Sequence, residues 1–328
     1  MTNKNVHKLV RGHLRLLHPL RVWGATTLLA VALQSCFTGV ESTPKITYKD
    51  VTNNQAQTSS PEESLAAEFV PESFATWREG KPFYVTSPRI SLVLKAESDT
   101  TAMPAEGETL LIEQLRYVAD YTGKEAVIID LITDGPAQRR FAYNTNATRD
   151  ELLSRRYVEI PFTVDLDMVS AARQRLSGRK LYVKTDSWLD AGGQSFNGRK
   201  FVPVTVTDVT VGNEIYPFRV TFKDDLGQTH SLMMSQGGAA RWMPRDFAAV
   251  FSLSDIRAQY PHISDATWTN IIHSRVSQGM TKQEVSLALG APKSIDRGHD
   301  QASLYERWVY PDGVYVIFQD GLVEKFNR

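Results

Sequence analysis

The stretch GMTKQEVSLALGAP, residues 279–292, reads as one short helix with both ends marked. Thr281 and Glu284 have the spacing of a capping box, in which each side chain accepts from the other residue's backbone N–H. Met280 and Val285 stand where a hydrophobic staple belongs. Val285, Ala288 and Leu289 form one apolar stripe, and Gly290 and Pro292 end the helix. Upstream, Asp265 is the expected N-cap of a helix with Trp268, Ile271, Ile272, Arg275 and Val276 at helical spacing, broken at Gly279. Downstream, strands are predicted at Tyr305–Tyr310, Val314–Phe318 and Leu322–Phe326. Pro311-Asp312-Gly313 and Gln319-Asp320-Gly321 supply the turns between them. Two helices laid on a three-stranded meander bury one face of the sheet, an αα-βββ two-layer unit.

Working back from this unit, two longer segments share a rhythm. One runs PFYVTSPRISLV (82–93) and then 107–145; the other runs KLYVKTDSWLDA (180–191) and then 198–236. Tyr84-Val85 aligns with Tyr182-Val183, Gly107 with Gly198, and Gly123 with Gly212. In 201–211 the apolar residues fall largely on alternate positions, the mark of a half-buried antiparallel strand. Gly212-Asn213 sits where a hairpin turn belongs. So many short strands in about 60 residues suggest a small closed barrel. Each copy resembles a Src-homology-3-like barrel, although two halves of one sheet would show the same alternation. Between the copies, Thr148-Arg149-Asp150-Glu151 is a second capping box, 157–162 is strand-like, and 165–176 is helical in pattern with Gly178 as its stop. The fold class expected is α+β and multi-domain: two small antiparallel β-barrel-like modules followed by the αα-βββ unit.

The C-terminal pattern resembles the SmpA/OmlA (BamE-like) family over about 65 of the 328 residues. Carrying the resemblance are Gly279–Val285, Leu289-Gly290-Ala291-Pro292, Trp308-Val309-Tyr310 and Tyr315–Val323. Members of that family are lipoproteins of Gram-negative envelopes, some of them serving outer-membrane protein assembly. The resemblance implies the fold of this unit, an outer-membrane setting and a role in protein contacts.

The N-terminus is consistent with that setting. Residues 1–35 hold Lys4, Lys8, Arg11, Arg15 and Arg21 and no acidic residue. The apolar run Val22–Leu33 has the length of a signal-peptide core and is short for a membrane span of about 20 residues. Leu33-Gln34-Ser35-Cys36 resembles a bacterial lipobox, with Gln34 where a small residue is usual. The resemblance implies a diacylglyceryl group on Cys36 and a membrane anchor through that lipid. An uncleaved span over 22–40 is the alternative. Cys36 is the one cysteine in the chain, so an intramolecular disulfide is excluded.

The divisions expected are a signal peptide at 1–35, an anchor and flexible linker with a short helix at 36–80, barrel-like modules at 81–163 and 164–240, and the αα-βββ unit at 241–328. Within the linker, Ser60-Pro61-Glu62-Glu63 carries a capping box and opens the helix, through about Phe69. Without residues 1–35 the chain has 32 basic and 37 acidic side chains, a net of −5. That balance argues against nucleic acid as a partner.

Chemistry-bearing patterns are few. His262, His273 and His299 lack the spacing of a zinc motif. Ser195, in Gly193-Gln194-Ser195-Phe196-Asn197-Gly198, has one residue too many for a nucleophile elbow, and Asn197-Gly198 reads as a turn. Asp224-Asp225 falls in a predicted turn. No cofactor or metal is expected, and catalysis is not. The expectation is an envelope lipoprotein that binds or scaffolds envelope proteins. The alternative is a cell-wall or glycan binder; an aromatic groove with Tyr84, Tyr182 and Trp188 exposed would favour it, and their burial would count against it.

Overall fold

The computed structural model describes residues 59–119, 123, 125–236, 245–300 and 303–327. Cys36, the export segment and residues 37–58 lie outside them. The described residues form a mixed α+β fold with three sheets and short helices, and every ladder pairing in it is antiparallel.

Helix α1 (Pro61–Ala66) begins at the expected capping box of Ser60 and Glu63. The first sheet contains β1 (Pro82–Val85), β2 (Leu94–Ala96), β3 (Thr109–Ala119), β4 (Glu125–Thr133), β5 (Arg140–Asn144) and β6 (Thr163–Asp165), in the order β2-β5-β4-β3-β1-β6. Helix α2 (Arg149–Ser154) starts at the Thr148–Glu151 capping box, and α3 (Leu166–Leu176) is capped by Asp165. The second sheet contains β7 (Lys180–Val183), β8 (Ser187–Leu189), β9 (Ser195–Asn197), β10 (Pro203–Val211), β11 (Phe218–Asp224), β12 (Thr229–Met234) and β13 (Phe251–Ser252). Its order is β13-β7-β10-β11-β12-β8-β9, with the short helix α4 (Phe247–Val250) leading into β13.

Apart from the extra edge strand β9, the two sheets have the same strand order. They also share an irregularity. A β-bulge interrupts β3 between Ile112 and Gln114 and β10 between Val206 and Asp208. Each bulge follows the residue paired with the shared tyrosine, Thr109 with Tyr84 and Pro203 with Tyr182, by the same interval. A matching bulge reinforces the repeat, because an inserted residue sets strand bend and twist.

The pairing corrects one alignment. Gly107 donates to Val85 O and Val85 donates to Glu108 O; Phe201 donates to Val183 O and Val183 donates to Val202 O. Gly107 therefore corresponds to Phe201, not to Gly198. Both backbones are left-handed, at φ 96° and 56°. Gly198 serves a different purpose, since a Cβ there would overlap the Trp188 ring.

Other expectations also change. Among the described residues, the two terminal strands of each of the first two sheets are not paired with each other. The strand expected at 157–162 forms later, as β6, because Phe162 takes φ 63°, which a continuing strand cannot carry. In place of the turn expected at Asn197-Gly198, β9 pairs with β8, and the chain reverses at 190–194, where Gly193 N donates to Asp190 O.

The spacer reading of 37–80 is corrected from Pro61 onward. Leu65 and Phe69 are buried with α3 in the core of the second sheet, whereas Phe74 and Trp77 are buried in the core of the first. These four apolar side chains are enough to make the segment a strap across both cores. At its end, Lys81 is fully buried, with its Nζ 2.8 Å from Asp165, 3.2 Å from Asp167 and 3.4 Å from Glu72.

The third core belongs to α5 (Asp265–Ile272), α6 (Lys282–Leu289) and a sheet of β14 (Ser294–Asp300), β15 (Ser303–Val309), β16 (Tyr315–Gln319) and β17 (Leu322–Asn327). The sheet is a meander in chain order, with four strands where three were expected. Polar β14, SIDRGHD, shows no apolar alternation and is held by pairing with β15. Ser264, not Asp265, caps α5, accepting from Thr267 N; Asp265 takes the first helical position, where the dipole favours it. The Thr281–Glu284 capping box forms on α6, and Met280 and Val285 are both buried.

Candidate functional site

Alternation in the meander sorts its residues onto two faces. Trp308, Val316, Phe318 and Val323 point toward α5 and α6 and are buried. Tyr310 is buried as well, and its hydroxyl is pushed up to about 12 by burial. Of the family-like residues Trp308, Val309, Tyr310 and Phe318, only Val309 faces outward. It is half-buried.

Glu306 locks the helix side. It accepts from Trp308 Nε1 at 3.1 Å and lies 3.1 Å from both Lys282 Nζ and Arg297 Nε, joining α6, β14 and β15. The Trp308 bond first, then those from Lys282 and Arg297, holds its carboxyl below the usual range against an opposing burial effect.

The outer face carries three cross-strand rows. Tyr305 pairs with Gln319 and Gln319 with Leu322; Arg307 with Ile317 and Ile317 with Lys325; Val309 with Tyr315 and Tyr315 with Asn327. Tyr305 is 43% and Leu322 48% exposed. The Arg307 guanidinium lies over the Tyr315 ring, 5.0 Å from its centroid. The Tyr305 ring covers Gly298 of β14, where any Cβ would collide with it. Glycine in a strand commonly marks such a close approach. The result is a firm surface of tyrosine, arginine and branched aliphatic side chains, and tyrosine and arginine are the types that anchor the cores of protein interfaces.

No protein-family model matches the chain, and no curated protein matches it.

His262 and His273 are exposed, and no group of three or more His, Cys, Asp or Glu able to hold a metal ion occurs among the described residues. Ser195 lies in the edge strand β9, where all three residues are exposed. Asp224 and Asp225 do form the expected turn, and both lie within ion-pair distance of Arg199. The Asp224 carboxyl, opposed by burial, is still held below its usual range by N–H donors of Gln228 and Leu226 and by Arg199.

Trp188 is 1% exposed and packed edge-on against Phe222, so it offers no stacking face; Tyr84 and Tyr182 are half-buried. This burial weighs against glycan stacking on the second sheet. Sequence reasoning missed Lys81, Arg307 and Tyr305. Their roles come from neighbours distant in the chain, although the lone Gly298 in a polar strand was a signal for Tyr305.

Proposed function

We propose that this chain is a non-catalytic lipoprotein of the bacterial envelope that binds or scaffolds other envelope proteins, anchored through lipid on Cys36. The observation that carries the protein-binding part is the outer face of the meander, with Tyr305, Arg307, Tyr315, Ile317 and Leu322 left uncovered in the described structure. In this reading the first two sheets are paired barrel-like modules and the C-terminal unit is SmpA/OmlA-like, in a Gram-negative outer membrane. The Leu33–Cys36 pattern supports the anchor, and two sheets of one strand order support the modules. A link to outer-membrane protein assembly follows from the family resemblance.

Two experiments test it. The triple variant Tyr305→Ser, Arg307→Glu, Leu322→Ser changes side chains of the open face only. Its unfolding should stay cooperative with a loss of about 1–2 kcal/mol, from the Tyr305–Gly298 and Arg307–Tyr315 contacts across the strands. Its capture of crosslinked envelope proteins from membranes should fall about tenfold or more, the size of effect seen when an interface anchor is truncated. Unchanged capture would refute the role of this face. For the anchor, Cys36→Ala should abolish labelling by a fatty-acid probe and shift the protein out of the lipid-modified membrane fraction. Retained labelling would remove the lipid from the account.

A further inference from the structure

On the helix side of the meander, away from the outer face, Val276, Leu289, Val314, Val316 and Phe326 line an apolar pit of about 270 Å³. Val316 is its buried floor, at 1% exposure, and Phe326 stands at the mouth, at 41%. The remaining described lining residues are Arg275 and Asn327, so among the described residues the pit has one cationic group and no carboxylate.

Arg275 is exposed, and its guanidinium has no hydrogen bond or ion pair among the described residues. Its backbone, by contrast, is held firmly. Arg275 N donates to Asn270 O at 2.8 Å. The preceding Ser274 takes a left-handed φ of 54° and donates through Oγ to Asp186 at the end of the second sheet. An apolar pit edged by a cation that has no partner among the described residues matches an apolar group that carries a carboxylate beside it. Guanidinium suits this role because its fork meets both carboxylate oxygens.

We propose that the pit binds the C-terminal residue of a partner polypeptide, taking an apolar side chain into the cavity and the α-carboxylate on Arg275. The charge complementarity of Arg275 selects a carboxylate. The pit's volume of about 270 Å³ has room for one large apolar side chain. The site is independent of the outer face and stands or falls separately from it.

The test uses the full chain in lipid nanodiscs and a fluorescent hexapeptide ending in phenylalanine, with either a free C-terminal carboxylate or a C-terminal amide. The free acid should bind about tenfold more tightly than the amide, one charge-assisted contact's worth of discrimination. Arg275→Gln, at an exposed position, should keep the unfolding midpoint and erase that preference; Arg275→Lys should retain part of it. The outer-face triple variant should bind the peptide as wild type does. Equal affinity for acid and amide, or an undiminished preference in Arg275→Gln, would overturn the proposal. So would dodecanoate binding in the pit more tightly than the peptide, which would assign the site to a lipid anion.

Discussion

Replacing Lys81 by methionine should lower the stability of the folded chain by about 3–5 kcal/mol, the usual loss when one partner of a buried ion pair is removed. Lys81 is fully buried, and its Nζ is 2.8 Å from Asp165 Oδ2 and 3.2 Å from Asp167 Oδ2. Without the ammonium, those two carboxylates face each other, and Arg78, which pairs with Asp167 at 3.2 Å and Glu72 at 3.4 Å, makes no ion pair with Asp165 among the described residues. Asp165 also caps α3 by accepting from Asp167 N at 2.9 Å, so the damage should reach the helix. Urea unfolding measures the effect, and an unchanged midpoint would show that the cluster contributes nothing. Adding Asp165→Asn to Lys81→Met should recover part of the loss, since asparagine still caps a helix and carries no charge.

The same cluster sets a pH dependence. Burial pulls the Lys81 pKa down, but the hydrogen bond and charge of Asp165, with Asp167, outweigh it and the net shift is upward. A lysine raised above its unfolded value of about 10.4 contributes its full stabilisation below that pH and loses it as pH rises through the folded value. Alkaline titration should therefore unfold wild type progressively above about pH 10.4, and Lys81→Met should lack this component of the alkaline loss.

At Phe201 the usual ranking of glycine and alanine should reverse. Phe201 occupies the slot that Gly107 fills in the first copy, with φ 56°, and its ring meets Trp268 of α5 edge-on at 6.0 Å. Next to it, Lys200 N donates to Ile272 O at 2.9 Å and Lys200 Nζ to Ala288 O at 2.6 Å, so the C-terminal helices dock on this segment. Phe201→Ala should cost about 2–3 kcal/mol, somewhat below a full core truncation because the ring is half-buried. Phe201→Gly should cost about 1 kcal/mol less than Phe201→Ala, since glycine adopts the left-handed backbone without steric penalty. Hydrogen exchange in α5 and α6 should speed up in both variants. A glycine variant less stable than the alanine variant would contradict the strained-backbone account.

Short-range features are legible because their physics is short-range. Capping boxes at Ser60/Glu63, Thr148/Glu151 and Thr281/Glu284 all form, each requiring only residues three apart. The alternation in 201–211 does make a half-buried strand. Where distant neighbours decide, local pattern misleads. Gly198 aligns with Gly107 by residue type, yet one accommodates the Trp188 ring and the other a left-handed turn. Strand β14 escapes sequence reasoning because its stability comes from β15, and the strap at 61–77 reads as a linker because the spacing of its buried residues Leu65, Phe69, Phe74 and Trp77 follows no strand period and they enter two different cores.

The sequence alone determined the three capping-box helix starts, the turns of the C-terminal meander and the repeated rhythm, since those depend on local hydrogen bonding and the period of burial. Tertiary structure alone decided that the strap joins two cores, that Lys81 meets Asp165, and that Tyr305, Arg307 and Tyr315 share one open face while Arg275 stands at the edge of a pit. Those pairings join residues far apart in the chain, and which side chains lose water together is set only when the sheets and helices pack.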